Sequence, residues 1–372
     1  MHSSRESNRI RTLDGWRGIA ILLVVAGHAA FSTRFENLFL AHQAWTAVDI
    51  FFVISGYIIT AGLLLEGAEL NLPAFYARRA LRILPPVILY LALVALFAAI
   101  GLINDVTPSD LAGSLFFFRN YQIAHHPTGV YTGHFWSLAI EEHFYLLWPA
   151  LLAFFRSRRA LYVAATGAIL CALWRHHCIA TADPVRSLYF VVIRTDCRLD
   201  GLLIGCCLAI LTSDPSVQSW IRRNVPKETP LLCGFPAILL LSAYSGLPSI
   251  WFYLLVAIAI GSTLFVHEGL VYKWLNLPAL AWIGRISYGV YVYQEIFLMH
   301  PLHAQHLPRW QIFPLNLVLL FLLATASYYF LERPISRIAH RRFAASRPNA
   351  ALVTVRDQGI TYSELSNPPL LD

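Results

Sequence analysis

Residues 134–149 read HFWSLAIEEHFYLLWP, a stretch that puts two adjacent carboxylates, Glu141 and Glu142, into an apolar segment. His134 and His143 flank the pair, and large apolar side chains occupy most of the positions around it. An ionisable group inside a membrane helix is costly and usually faces the interior of a helix bundle or a water-filled cavity. The stretch therefore predicts a membrane helix that turns a polar side toward the inside of a bundle.

The composition of the whole chain agrees with this interpretation. Its 372 residues are 57% hydrophobic and 13% charged, with a mean hydropathy of +0.57. Soluble domains carry about 25% charged residues, so the composition fits helices in a lipid bilayer and excludes a soluble enzyme. The six cysteines form no CxxC pair, so neither a zinc site nor a disulfide framework is predicted. We interpret them as small buried apolar residues.

Ten apolar runs have about the 20 residues that a bilayer core requires. They cover residues 13–33, 45–65, 82–103, 136–155, 160–177, 187–211, 230–246, 250–267, 279–300 and 312–331. Lysine and arginine are concentrated at both ends of the chain and in alternate connections, which places both termini in the cytosol. We therefore expect an all-α, polytopic membrane helix bundle with about ten transmembrane helices.

The chain divides into three parts. Residues 1–12 form a cytosolic N-terminal segment, residues 13–340 the transmembrane domain, and residues 341–372 a polar tail that we expect to be disordered. The first apolar run has no small-residue cleavage site, so it is predicted to be an uncleaved span. The net charge of +7 follows mainly from the basic connections, so no nucleic-acid partner is expected.

Three ionisable residues share one face of the first predicted span. Arg17 and His28 are 11 residues apart, which is close to three full turns and about 16 Å along the helix axis. Asp14 and Arg17 are at positions i and i+3, so Asp14 lies on the same face. A histidine is the natural general base near neutral pH. The alternative for His28 is a hydrogen-bonded packing residue without chemistry.

The second and third spans carry charged residues. Each of these charged positions has two possible interpretations. Asp49, near the start of the second span, either orients an imidazole or caps its helix. Arg79 and Arg82, at i and i+3 on the third span, either anchor the helix at the cytosolic face or bind phosphate. The phosphate interpretation follows because guanidinium groups match the geometry of phosphate oxygens.

The remaining charged positions suggest a polar interior shared by several spans. Glu141 and Glu142 lie about 100° apart around a helix, so only one of them faces a cavity where His28 or an arginine could pair with it. The sixth span interleaves arginine and aspartate, which indicates either mutual ion pairs along a cavity or groups that contact a substrate. The candidates there and on the ninth span are Arg194, Asp196, Arg198, Asp200, Arg285 and Gln294. The histidines near residue 125 lack the spacing of metal ligands, so no metal site is predicted.

Six segments, taken in chain order, resemble the acyltransferase-3 family of integral membrane acyltransferases, and the resemblance covers about residues 10–340. The segments are LDGWRGIAILLVVAGH, VDIFFVISGYIIT, RRALRILPP, FWSLAIEEHFYLLWP, IGRISYGVYVYQ and LERP. The positions that match the motifs of the family are Arg17, His28, Arg79, Arg82, Trp136, Ser137 and Glu141, with Glu142 following directly. Gln294 stands where many members of the family have a histidine.

The resemblance implies transfer of an acyl group, often acetyl, from a cytosolic coenzyme A thioester to a hydroxyl of a carbohydrate or glycolipid acceptor. No permanently bound cofactor is implied, since acyl-CoA is a substrate. Arg79 and Arg82 would hold the phosphates of the donor, and Arg17 would hold the donor or stabilise developing negative charge. The implied location is a bacterial inner membrane, and the chain looks like the stand-alone form of the family, without an SGNH-type esterase domain.

His28 has the central chemical role in this interpretation. It would deprotonate the acceptor hydroxyl, which then attacks the thioester carbonyl. Glu141 or Asp49 would orient the imidazole and stabilise its cation. The alternative route has His28 itself acylated before the transfer.

Two other classes of function are compatible with charged residues in membrane helices. A proton-coupled transporter of a glycan or small metabolite is one, but transporters often contain internal repeats and this sequence has none. A protein that binds or flips a polysaccharide without chemistry is the other. That class predicts that function survives the replacement of His28.

Overall fold

The structure is a computed structural model that describes residues 10–32, 44–67, 70–125, 129–181, 191, 193–243, 249–298 and 308–343. Within these ranges the regular secondary structure is helical and contains no strand, which confirms the all-α prediction. Most of the predicted N-terminal segment, residues 1–9, and most of the predicted tail, residues 344–372, lie outside the described residues.

The helices are α1 (Arg11–Ser32), α2 (Ala44–Glu66), α3 (Leu72–Ala99), α4 (Pro108–Leu115), α5 (Arg119–His125), α6 (Phe135–Thr181), α7 (Asp200–Thr212), α8 (Pro215–Asn224), α9 (Thr229–Ala243), α10 (Ile250–Phe265), α11 (Leu270–Leu275), α12 (Pro278–Phe297), α13 (Leu315–Ser327) and α14 (Arg333–Arg342). A π-helical turn, Tyr328–Glu332, joins α13 to α14.

Several of these helices are long and apolar enough to cross a membrane. Among the described residues, five segments meet that condition: Thr46–Glu66, Leu72–Ala99, Val130–Phe155, Arg158–Thr181 and Leu315–Arg342. A sixth is added if α7 and α8, which meet at 96°, form one broken span. The helices therefore define a multi-pass membrane bundle, while the count of ten spans and the cytosolic termini stay predictions.

Helix α6 contains two of the predicted spans, and it doubles back on itself. The His143 ring lies 2.7 Å from the Thr195 hydroxyl, and the Arg175 guanidinium lies 2.6 Å from the Asp200 carboxylate. Along a straight helix His143 and Arg175 would be about 48 Å apart, yet their partners are separated by only a few residues of chain. The chain must therefore reverse within α6. The connection that the sequence predicts around residues 156–159 is itself helical.

The prediction of a continuous helix through the sixth apolar run, residues 187–211, is wrong in one part. A short 3-10 turn occupies Thr195–Cys197, and α7 begins only at Asp200. Arg194 binds Asp196 two residues later, with Nε 3.0 Å from Oδ1, a pairing that an α-helix does not allow because i and i+2 side chains point apart. Arg175 of α6 donates to the Cys197 carbonyl oxygen at 2.8 Å, which fixes this turn against α6.

Helices α1 and α12 pack side by side in the same direction. At one end Gly284 meets the backbone of α1 so closely that an added Cβ would lie 1.8 Å from the Asp14 carbonyl oxygen. At the other end His28 contacts Glu295. Small residues permit such close approach of membrane helices. This pair of helices fixes the positions of the polar side chains described below.

Gly284→Ala should reduce the stability of the bundle, because the new methyl group would overlap the backbone of α1. Overpacking of this kind costs about 1–3 kcal/mol, and a thermal unfolding assay in detergent should report a lower Tm. Gly62→Ala in α2 is the matched control, since nothing lies within 4 Å of its added Cβ. An unchanged Tm for Gly284→Ala would contradict the close packing of α1 on α12.

Candidate active site

His28 lies next to a carboxylate that belongs to α12. Its Nδ1 is 2.8 Å from the Val24 carbonyl oxygen, and its Nε2 is 3.3 Å from Glu295 Oε1. A carbonyl oxygen only accepts hydrogen bonds, so Nδ1 carries a proton. Nε2 and the carboxylate then share one further proton when they hydrogen-bond. The two side chains therefore form a unit that can take up or give away a proton.

Glu295 was not among the candidates proposed from the sequence for the partner of His28. It follows Gln294 directly, and it lies 11 residues after Gly284, the residue that contacts α1. Because 11 residues make about three turns, Glu295 must share the α1-facing side of α12. That spacing is the signal that could have identified it from the sequence.

Glu141 and Glu142 are placed against Arg79 rather than against His28. Arg79 Nη2 lies 3.9 Å from Glu141 Oε2 and 3.6 Å from Glu142 Oε1. The guanidinium also stacks 3.5 Å above the centre of the Tyr145 ring. Glu141 accepts further hydrogen bonds from Ser55 and Tyr145. Arg79 is therefore enclosed by two carboxylates and an aromatic ring.

Asp49 contacts a buried arginine and not His28. It lies one turn inside α2, is fully buried, and pairs with Arg198 at 2.8 Å. The Tyr253 hydroxyl donates to the same carboxylate oxygen at 2.9 Å. Asp49 therefore neutralises a buried guanidinium, and the geometry leaves the orientation of His28 to Glu295.

The charged residues around residue 200 form two ion pairs, and one of them includes Arg175, which was not a candidate from the sequence. Arg175 of α6 binds Asp200 through two hydrogen bonds of 2.9 and 2.6 Å. Arg194 binds Asp196 at the partly exposed start of the same segment. These contacts join α6 to the segment before α7, which supports the structural interpretation of these charges.

Three further candidates predicted from the sequence, Trp136, Ser137 and Gln294, are buried. The Trp136 ring lies 5.6 Å from the Arg198 guanidinium and meets Phe52 edge to face. The Ser137 hydroxyl is 2.5 Å from the hydroxyl of Tyr291 on α12. Gln294 is fully buried, and neither atom of its side-chain amide has a hydrogen-bond partner among the described residues. A buried amide in this state is suited to a polar ligand, since unmet hydrogen bonds are costly.

Arginines from four helices line one pocket, which we name the arginine pocket. Its lining consists of Arg17, Arg82, Arg285, Tyr288, Tyr328, Glu332, Arg333 and Ser336. Arg17 lies about 16 Å from His28 along α1. Helix α1 carries Arg17 and His28, and α12 carries Arg285 and Glu295. The same two helices therefore contribute to both the arginine pocket and the His28–Glu295 pair.

The π-helical turn supplies Glu332 and positions α14 beside the arginine pocket. The Ser327 hydroxyl donates to the buried Glu332 carboxylate at 3.0 Å, and the Tyr293 hydroxyl lies 2.9 Å from the same serine. Glu332 and Arg333 were not among the site candidates predicted from the sequence and entered only through the LERP motif. π-turns are frequent at functional sites, but a single extra residue per turn leaves little trace in a sequence pattern.

The remaining candidates add no metal centre in the part of the chain that the structure describes. No group of three or more histidine, cysteine, aspartate or glutamate side chains there could hold a metal ion. Asp14 is buried where α1 meets α12. The ionisable groups of the described site are carboxylates, an imidazole and guanidinium groups.

The apolar helices and the buried ionisable groups between them define a multi-pass integral membrane protein with a polar interior. The chain belongs to the acyltransferase-3 family, since the model of its acyltransferase domain matches residues 10–333. The confirmed resemblance covers the segments that carry His28, Glu295 and all four arginines of the pocket.

The chain is similar to three curated proteins that act in O-acetylation. A putative peptidoglycan O-acetyltransferase, YrhL of Bacillus subtilis, is 30% identical over 375 residues, which cover 92% of this chain and 57% of that protein. The peptidoglycan O-acetyltransferase OatA of Listeria monocytogenes is 28% identical over 360 residues, covering 88% and 56%. The O-acetyltransferase OatA of Staphylococcus aureus is 28% identical over 373 residues, covering 89% and 58%.

The chain spans a little over half the length of these relatives. No solved structure matches the chain.

Asp49→Ala should destabilise the bundle strongly, because it leaves the Arg198 guanidinium buried without its partner. Breaking a buried ion pair from one side costs about 3–5 kcal/mol, and the Tm in detergent should fall accordingly. The double variant Asp49→Leu/Arg198→Met should recover most of the loss. The control is Asp196→Ala, which removes a partly exposed pair. Equal Tm values for Asp49→Ala and the double variant would contradict a purely structural pair.

Proposed function

We propose that this protein is a membrane-embedded O-acyltransferase that moves an acyl group, most simply acetyl, from acyl-CoA to a hydroxyl of a carbohydrate acceptor. The observation that carries the proposal is the His28–Glu295 pair, joined along α1 and α12 to the arginine pocket. Membership of the family supports acyl transfer. The names of the relatives support an acetyl group and a carbohydrate acceptor.

The arginine pocket is our proposed site for the phosphates of the donor. Guanidinium groups bind phosphate through paired, charge-assisted hydrogen bonds. Arg82, Arg285 and Arg17 are each contributed by a different helix, so a phosphate between them would hold three helices together. The sequence assigned Arg79 to the same role. We now propose that Arg79 instead balances Glu141 and Glu142, because it already contacts both carboxylates.

The acyl end of the donor would reach His28 from the arginine pocket. The distance along α1 is about 16 Å, so an extended donor arm between the helices would bring the thioester carbonyl to the imidazole. The buried Gln294 amide lies on α12 next to Glu295 and lacks a partner among the described residues. We propose that it hydrogen-bonds the acceptor or the acyl carbonyl.

The His28–Glu295 pair would act as the general base. Nδ1 is held by the Val24 carbonyl oxygen, which fixes the ring. When no proton lies between Nε2 and Glu295, Nε2 accepts the proton of the acceptor hydroxyl. The hydroxyl oxygen attacks the thioester carbonyl, the C–S bond breaks, and the imidazolium returns the proton to the departing thiolate. Glu295 lies at Nε2 itself and would stabilise the imidazolium cation through its negative charge. In a catalytic triad the carboxylate instead binds the other ring nitrogen, which here is held by the Val24 carbonyl oxygen.

The membrane arrangement completes the proposal. We propose about ten spans, from the apolar runs, with both termini in the cytosol, from the distribution of lysine and arginine. The bacterial relatives support a bacterial inner membrane as the location. The arginine pocket, near the basic N-terminal end of α1, then opens on the side where acyl-CoA is present. The acceptor would approach from the other side of the His28–Glu295 pair.

His28→Ala should lower acetyl transfer by roughly 10²-fold to 10⁴-fold, the usual contribution of a general base. Purified protein in nanodiscs is given acetyl-CoA with peptidoglycan oligosaccharides, and thiol release and acetylated glycan are both measured. Glu295→Gln should also lower the transfer rate, while acetyl-CoA binding is retained in both variants. His176→Ala, at an exposed position of α6, is the control. Normal turnover in His28→Ala would refute the proposed base.

Arg82→Gln and Arg285→Gln should each weaken acetyl-CoA binding. A hydrogen bond to a charged group is worth about 1.5–3 kcal/mol, which corresponds to roughly a 10-fold to 100-fold increase in the Kd for acetyl-CoA. Binding is measured directly with the same nanodiscs, and dephosphorylated donor serves as a second ligand. Arg222→Gln on the exposed helix α8 should bind as the wild type does. Unchanged affinity in both pocket variants would place the donor elsewhere.

A further inference from the structure

One face of the second half of α6 is fixed to the segment that precedes α7. The Cys171 thiol lies 3.2 Å from the Asp196 carbonyl oxygen, and Trp174 Nε1 donates to the Asp196 carboxylate at 2.7 Å. Arg175 donates to the Cys197 carbonyl oxygen at 2.8 Å. These residues of α6 are spaced by three and four positions, so they share one face of the helix.

Cys178 is the next residue of that face, one turn beyond Arg175. Because Trp174 and Arg175 on the same face bind residues 196 and 197, the Cys178 side chain lies beside that of Cys197, close enough for the two to interact. Cys197 is fully buried and Cys178 is partly buried, and both are free thiols in the structure. The bond from Arg175 to the Cys197 carbonyl holds this turn against α6. The two sulfur atoms are therefore kept together by contacts that do not involve either sulfur.

We propose that Cys178 and Cys197 form a disulfide bond that ties the end of α6 to the segment before α7. The proposal rests on the membrane orientation given under the proposed function, which puts the end of α6 on the side away from the cytosol. Disulfides form and persist in that compartment, whereas cytosolic thiols are kept reduced.

The oxidant of the proposed reaction is a disulfide of a thiol–disulfide oxidoreductase. The Cys178 thiolate attacks this disulfide, which breaks its S–S bond and gives a mixed disulfide and one oxidoreductase thiol. The Cys197 thiolate then attacks the Cys178 sulfur and releases the second oxidoreductase thiol. Two electrons pass to the oxidoreductase, and the protons of Cys178 and Cys197 end on its two sulfurs. Buried thiols ionise poorly, so the bond forms before Cys197 is packed.

The bond would stabilise the region that holds the buried charges. It closes the loop of residues 178–197 and so restricts the unfolded chain. The residues that follow directly are Arg198, which pairs with Asp49, and Asp200, which pairs with Arg175. Closing the loop therefore keeps both ion pairs in register with α6.

Another use of the two thiols is less well supported by their surroundings. A metal site would require further ligands, and among the described residues no group of three or more possible ligands occurs. Two other buried thiols, Cys171 and Cys206, donate to backbone carbonyl oxygens, at 3.2 Å to Asp196 and at 3.1 Å to Leu202. Cys178 and Cys197 thus differ from the cysteines that only fill space.

The test is a count of free thiols in the full-length protein, extracted with a maleimide present and without reductant. After denaturation four of the six cysteines should be labelled, and all six after reduction. Mass spectrometry of the unreduced digest should contain the peptide pair that joins Cys178 to Cys197. Reduction should lower the Tm in detergent by several degrees, and the double variant Cys178→Ser/Cys197→Ser should not respond to reductant. Six labelled thiols without reduction would overturn the proposal.

Two further measurements separate this proposal from those it depends on. In Cys197→Ser cells, a maleimide that does not cross membranes should label Cys178 from outside the inner membrane; labelling only after permeabilisation would overturn both the orientation and the disulfide. Acetyl transfer is measured on the same preparation. Transfer with six free thiols would leave the proposed function intact and remove the disulfide, whereas a disulfide without transfer supports this inference and counts against the enzyme.

Discussion

The close contact of α1 with α12 sets the geometry on which the rest of the site depends. Gly284 lies against the backbone of Asp14, so the two helix axes cannot move closer and the side chains above them are brought into register. The helices run in the same direction from the contact of Gly284 with Asp14 to the His28–Glu295 pair. The number of residues between these two contacts is the same on both helices to within one helical turn. The His28–Glu295 pair and the arginine pocket are thereby placed along the same two helices.

Charge is distributed unevenly along that line. The buried pairs Asp49–Arg198 and Arg175–Asp200 each balance to zero, as the high cost of an isolated charge in a membrane requires. The arginine pocket differs, since it combines four guanidinium groups with one carboxylate, Glu332. Guanidinium groups gathered in this way match the geometry of the phosphates of the proposed donor. The same contrast separates the structural pairs from the region proposed to bind a substrate.

Much of this architecture can be predicted from the sequence, because length, hydropathy and the unusual positions of charged residues identify the helices and their polar faces. The partners are harder to predict. A one-residue difference decides whether Gln294 or Glu295 faces α1, and Arg79 is matched to two glutamates that come 60 residues later. The reversal within α6 and the turn at Thr195–Cys197 follow from long-range contacts. Patterns within one helix contain no information about them.

The π-helical turn between α13 and α14 makes the pocket sensitive to the length of the chain and not only to its residue types. A π turn holds about one residue more than an α turn, so everything after it is rotated by about 100° relative to an unbroken helix. Ser327 can face Tyr293 while Arg333 and Ser336 face the arginines of the other helices. Removing a single residue there would turn α14 by a quarter of a circle or more. A homologue with the same residues but a regular helix at this point would have a different pocket.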